Sequence, residues 1–263
     1  MAPTPATSDA TPPAPAYRGR KLRIFWLFLS AILAETVVFA LAAMPAAAMW
    51  TGVLPLISGP LYVRVAVFCL TLVPSYLLFT LGLMVYSAWI TRILGWRTPP
   101  NGELDIAELG RPLMNLLRGA AMHHFVRVFA GTLYRGSSLW TFYLRLNGAR
   151  LGPRVYVNTL SLGDCSLLEI GEGSVIGSDV HIGGHWAEKG VMRTGPVSVG
   201  RGVTIGNCAV IGIGVTIEDG VQVGALSVVP KGVTLEGPGV YVGAPARRVQ
   251  KKPASVGTPV QGS

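Results

Sequence analysis

Residues 199–234 read VGRGVT IGNCAV IGIGVT IEDGVQ VGALSV VPKGVT when written in sixes. The first residue of every six is Ile or Val. The second is Gly in four of the six copies, Glu218 and Pro230 being the exceptions. The fifth is small or β-branched: Val203, Ala209, Val215, Val221, Ser227 and Val233. An amphipathic helix needs a period of 3.6 and a half-buried strand a period of 2, so six fits neither. It fits a chain that runs straight, turns and runs straight again. Three such sides close a triangular coil of eighteen residues, with the aliphatic residue pointing inward onto its copy in the next coil. Gly suits the corner, where a Cβ would clash, and β-branched residues suit the flat sides. Stacked coils bury a core that no single coil can bury alone.

The same phase is present upstream, in IGEGSV from Ile170, IGSDVH from Ile176 and IGGHWA from Ile182, with an earlier copy LGPRVY from Leu151. Four to five coils are expected over 151–235. The hexads break between Ala187 and Pro196, where a loop is expected to leave the stack. A loop ejected from a rigid scaffold is a natural place for a site. His185, fourth in its hexad, should face outward toward it. His181, four residues earlier, is the rival imidazole, and His123-His124 are expected at a membrane interface.

The remainder of the chain has a different composition. Apolar residues make up 50% and charged residues 13% of the 263, with a net charge of +9. A soluble domain is about one-quarter charged. Residues 24–50 hold one charge, Glu35, and residues 65–90 hold none. Each run exceeds the ~20 residues that a helix needs to cross a bilayer. Arg18, Arg20, Lys21 and Arg23 flank one outer end, Arg92 and Arg97 the other, while the loop near Gly59-Pro60 carries no acid and no base. The positive-inside rule then places both ends, and everything after residue 91, in the cytoplasm. Glu35 is expected either to line a path for a polar substrate or to be a protonated carboxyl bonded to Ser87 or another hydroxyl of the second helix.

Between 91 and 154 there are nine Arg and no Lys. The apolar spacing there predicts one or two amphipathic helices on the membrane face. The organisation expected is an unfolded tail (1–22), two transmembrane helices (23–91), a juxtamembrane helical segment (92–148), the coils (149–249) and a second tail (250–263). No nucleic-acid motif accompanies the basic stretch. The coils supply only two His, too few for a three-imidazole zinc site, so no metal is expected. No GxSxG and no P-loop is present.

The hexads, together with the ending VGALSVVPKGV…VYVGAPARRV over 223–249, resemble the hexapeptide-repeat acyltransferases of the left-handed parallel β-helix fold. A narrower resemblance, through residues 131–174 with H-W-A-E and GPVSVG, is to the membrane-attached terminal modules of poly-lysine-synthetase-type nonribosomal peptide synthetases and their stand-alone relatives. This chain differs in having one helical pair and no adenylation or carrier domain, and in placing Ser166 where that family carries an acid.

The wider resemblance implies an acyltransferase using acyl-CoA, most simply acetyl-CoA, with His185 as general base. An imidazole is suited to taking a proton near neutral pH. Glu188 or Asp164 would orient the ring. The co-substrate would run between coils along the backbone of Gly212, Gly224 and Ala225, with Lys231 and Arg247 meeting its phosphates. The acceptor would be a hydroxyl or amine of a small molecule, glycan or lipid at the cytoplasmic face of a bacterial inner membrane. Soluble relatives of this kind form homotrimers. Two other readings stand beside it: a peptide-bond-forming module fed by an aminoacyl thioester, and a β-helix scaffold without catalysis.

Overall fold

A computed structural model of the chain describes residues 19–250. Residues 1–18 and 251–263, which make up most of the two expected tails, lie outside the described residues. Arg20, Lys21 and Leu22 are already helical. The first helix, α1 (Arg20–Val53), and the second, α2 (Leu61–Ile93), are long and apolar enough to cross a membrane. At 1.5 Å per residue each is about 50 Å long, well beyond a hydrocarbon core of about 30 Å. Gly82 lets the two approach closely: a Cβ there would stand 3.1 Å from the Ala42 Cα. Around this crossing Val38, Ala42 and Leu83 are buried.

The half of α2 nearer Leu61 leaves Val65, Leu70 and Val73 exposed, whereas Ser75, Thr80, Leu83, Met84, Ser87 and Ala88 are buried. What covers them, together with α1, is the next segment. A short strand, β1 (Glu103–Asp105), precedes α3 (Arg111–Val126), which runs through a π turn at Arg127–Gly131 into α4 (Thr132–Tyr134). The expected amphipathic helix therefore exists, and its apolar face packs on the helical pair. Phe129 sits edge-on to Phe39 and Phe79, and Met122 joins the cluster of Val38 and Leu83. The Ser87 hydroxyl bonds the Met84 carbonyl of its own helix, not Glu35.

The last helix, α5 (Ser138–Leu146), is capped by Ser137, whose hydroxyl accepts the Trp140 amide. It closes the open end of the coils with three fully buried side chains, Trp140, Tyr143 and Leu144. The Trp140 indole donates to the Thr159 carbonyl at 3.0 Å. Thr80 of α2 and Tyr134 of α4 share a buried hydroxyl pair at 2.9 Å. Helices and coils thus contribute to one continuous core.

From Arg150 the chain becomes a series of strands of two to four residues. In order these are β2 (Arg150–Leu151), β3 (Tyr156–Val157), β4 (Leu168–Ile170), β5 (Val175–Ile176), β6 (His181–Ile182), β7 (His185–Glu188), β8 (Val191–Thr194) and β9 (Val197–Val199). They continue as β10 (Thr204–Ile205), β11 (Val210–Ile211), β12 (Thr216–Ile217), β13 (Val221–Val223), β14 (Val228–Val229), β15 (Thr234–Leu235), β16 (Gly239–Val242) and β17 (Arg247–Arg248). Three parallel sheets result, β3-β5-β10-β13-β16, β6-β11-β14 and β2-β4-β9-β12-β15, with β17 added antiparallel to β16. The chain visits the three in turn. Ile205 pairs with Val223, Ile211 with Val229 and Ile217 with Leu235, so one circuit takes eighteen residues, three hexads.

The first hexad positions are the core: Ile170, Ile176, Ile182, Ile205, Ile211 and Ile217 are at most 1% exposed. The corner glycine answers to the next coil's backbone. A Cβ on Gly206 would lie 2.5 Å from the Ala225 nitrogen.

The break at 187–196 is not an irregular loop. Strands β7 and β8 form an antiparallel hairpin, and β1 pairs with the free edge of β8, setting Glu103 opposite Arg193. Alternating side chains were hidden here by the short length of the insert. The stack closes over it without losing phase: Ile176 pairs with Ile205, 29 residues on, eleven more than one circuit.

Candidate active site

The segment from Trp96 to Gly102 ties the helices to the hairpin. The Thr194 hydroxyl, at the base of β8, donates to the Pro99 carbonyl at 2.6 Å and accepts the Gly102 amide at 2.7 Å. This fixes Thr98, a buried residue whose hydroxyl bonds Asp164 Oδ1. Asp164 stands at a bend between β3 and β4 with φ +51°, a left-handed conformation that a non-glycine residue adopts at a cost. There its carboxylate also accepts the Gly184 amide at 3.1 Å.

The same oxygen, Oδ2, lies 2.6 Å from Nδ1 of His185. Burial by itself would raise the Asp164 pKa. The bonds from His185, Thr98 and Gly184 outweigh it and hold the carboxyl below the ordinary range. An ionised Asp164 can only accept, so the His185 proton sits on Nδ1 and Nε2 is left with a free lone pair. The bond to Asp164 raises the His185 pKa above its usual value, against the opposing effect of burial.

His185 and Asp164 line a cavity of about 450 Å³ at the junction of helices and coils. Its other walls are Ala88, Thr91 and Arg92 at the end of α2, Trp96, Arg97 and Thr98 of the strap, His123 and Arg127 from α3 and the π turn, and the end of α5. Asp164 is the one carboxylate among the described lining residues, against three guanidinium groups. Such a wall suits an anionic reactant.

His123 was expected at an interface with lipid. Instead it stacks on the Tyr143 ring, accepts or donates at 3.2 Å to its hydroxyl, and is pushed down to about 4 by burial and by Arg127. It is therefore a neutral group at physiological pH. His181 also lines the cavity, with its pKa lowered by burial and by His185 and Arg127. No described carboxylate pairs with it. Cys165, beside Asp164, is pushed up to about 12 by burial and by that carboxylate, which removes it as a thiolate nucleophile.

The remaining expected site residues lie elsewhere. Glu188, at the far end of β7, pairs with Lys231, not with His185, and that ion pair holds its carboxyl below the ordinary range. Gly212 and Lys231 meet at one corner of successive coils, and a Cβ on Gly212 would be 2.7 Å from the Lys231 nitrogen. Gly224 and Ala225 follow β13, and Arg247 is exposed on β17. None of these six lines the His185 cavity. Among the described residues no group of three His, Cys, Asp or Glu is placed to hold a metal. Sequence reasoning missed Thr98, His123 and Arg127. A Thr between Trp96-Arg97 and Pro99-Pro100 carries no periodic signal that would have drawn attention to it.

No protein-family model matches the chain. Delta-poly-L-ornithine synthetase of Acinetobacter baumannii is 25% identical over 138 residues, which is 51% of this chain and 10% of that protein. The match thus spans a small part of the relative's length. Among solved structures, a maltose O-acetyltransferase from Clostridium difficile 630 matches 48% of this chain and 81% of its own at 23% identity, with a TM-score of 0.37. A galactoside acetyltransferase in complex with coenzyme A matches 43% and 70% at 22% identity, TM-score 0.35. A serine acetyltransferase from Neisseria gonorrhoeae matches 56% of both chains at 23% identity, TM-score 0.33. These neighbours are hexapeptide-repeat acetyltransferases, the class that the hexads resemble.

Proposed function

We propose that this chain is a membrane-anchored acyltransferase in which the Asp164–His185 pair activates the acceptor. The observation that carries the reading is the 2.6 Å contact between the two, at the wall of a cavity whose other wall is built by the helices. An acceptor hydroxyl or amine enters with its proton toward His185 Nε2. As its oxygen or nitrogen bonds the thioester carbonyl carbon, the proton passes to Nε2 and Asp164 stabilises the imidazolium. The carbon–sulfur bond then breaks, and the leaving thiolate takes the proton back from His185. General base help of this kind is worth about 10²–10⁴-fold.

The donor that best fits the resemblance is acyl-CoA, with acetyl-CoA the simplest. Arg92, Arg97 and Arg127 are the guanidinium groups that line the reaction cavity, and they suit phosphate or an oxyanion. The corner at Gly212 and Lys231 and the exposed Arg247 remain candidates for the distal part of the co-substrate. The coils are taken as left-handed, as in the family they resemble. The charge pattern supports insertion of α1 and α2 in a bacterial inner membrane with both ends cytoplasmic. A homotrimer is the assembly the soluble relatives suggest.

A second reading has one observation in its favour, the likeness to a poly-ornithine synthetase. There the donor is an aminoacyl thioester and the product an amide. One experiment separates them: thiol release by the detergent-solubilised full chain, supplied with acetyl-CoA or an aminoacyl thioester and with amine, glycan or lipid acceptors. The proposal expects thiol release with acetyl-CoA, lost in His185→Ala. Absence of acyl-CoA binding, or a His185→Ala variant of full activity, overturns it.

A further inference from the structure

The His185 cavity has a neighbour on the outside of the helical pair, with Trp96 as their common wall. A second hollow of about 460 Å³ lies between α1 and the end of α2, walled by Leu33 and Val37 on one side and Ile90 and Ile93 on the other. It is apolar over nearly all its lining. Leu33, Val37 and Ile93 are 56%, 49% and 77% exposed, and Trp26, two turns before Leu33, continues the exposed apolar face of α1. In water such a face would be a liability; beside a bilayer its natural occupant is an acyl chain.

Trp96 lines both hollows, the apolar groove and the His185 cavity. Two residues further on, Thr98 bonds Asp164. Arg118 lines the groove and lays its guanidinium over the Trp96 ring, 5.7 Å from the centroid. Its Nε is buried without a hydrogen-bond partner. The groove with a cation at its inner end and the cavity with its base thus stand on two sides of one indole.

We infer that the acceptor is a membrane phospholipid, whose chain lies in the groove between α1 and α2, whose phosphate meets Arg118, and whose head-group hydroxyl or amine passes Trp96 to reach His185. This rests on the acyltransferase reading and names its substrate class. The reaction is the one written above, with the lipid hydroxyl or amine as nucleophile.

The test uses the full chain in lipid nanodiscs with a phosphatidylglycerol carrying a photoactivatable diazirine in its chain, followed by mapping of the labelled peptides. Labelling should concentrate at Leu33, Val37, Ile90 and Ile93. The double variant Leu33→Trp with Val37→Trp, both at exposed positions, should lower it about tenfold, a loss of ~1.4 kcal/mol in binding. Val73→Trp, on an exposed site away from the groove, should leave it unchanged. Arg118→Gln should remove any preference over the same probe made as an uncharged diacylglycerol. Labelling spread evenly along the helical pair, or untouched by the double variant, overturns the inference. Acyl-CoA binding measured on the same nanodiscs keeps the two failures apart: its loss sinks the acyltransferase reading, and its presence with diffuse labelling sinks only the lipid acceptor.

Discussion

Gly184 and Asp164 are packed so closely that a Cβ on the glycine would come within 2.7 Å of the Asp164 Cβ. The glycine amide donates to the same carboxylate that holds His185. Gly184→Ala should therefore displace the carboxylate and misalign the imidazole, at a cost in stability of about 1–3 kcal/mol for the overpacking. A shift of about 1 Å at a reacting group costs on the order of 10²-fold, to be read as thiol release at saturating donor well below the lowered melting temperature.

The acid–imidazole pair sets a pH profile. The base works as the neutral ring, so the rate should climb as pH rises through the raised pKa of His185 and level off above it. Asp164→Asn removes the bond that raises that pKa and leaves burial, which lowers it. The inflection should move to lower pH, and the plateau should fall by about 10²–10⁴-fold. An inflection that stays in place would show that another group titrates.

Glu188 offers the opposite expectation. Its carboxylate is half-buried and engaged with Lys231 at the outer end of the hairpin. Glu188→Gln should leave the His185 inflection where it is, which NMR titration of the ring would read directly. A shift would return Glu188 to the orienting role that its place three residues after His185 suggested.

Trp140 joins helix and coils. Trp140→Ala should destabilise the protein by about 3–5 kcal/mol through the cavity it leaves. Trp140→Phe keeps most of the packing but leaves the Thr159 carbonyl unpaired, at about 1–3 kcal/mol. Denaturant unfolding of the solubilised protein distinguishes the two.

The coils were legible because a six-residue period is a covalent regularity: each hexad buries one aliphatic residue and needs one Cβ-free corner, so the eighteen-residue register follows from arithmetic. His185 was legible by its place beside the break in that period, and Asp164 only as one of two candidates. The other wall of the site was not. The spacing of Leu113, Leu116 and Val126 shows that α3 has an apolar face, but not that this face meets Val38 and Leu83. Nor does it show that His123 is thereby carried under Tyr143. Thr98 acquires its role only when Thr194 pins the strap, a contact between residues nearly a hundred positions apart.

The pairing of β1 with the hairpin ties the helical segment to the element that carries His185. With the helices embedded as proposed, His185 would sit at a constant height above the lipid surface. Reach would then be a selection rule: molecules presenting their nucleophile at that height would be modified, and those held nearer or farther would be passed over whatever their chemistry.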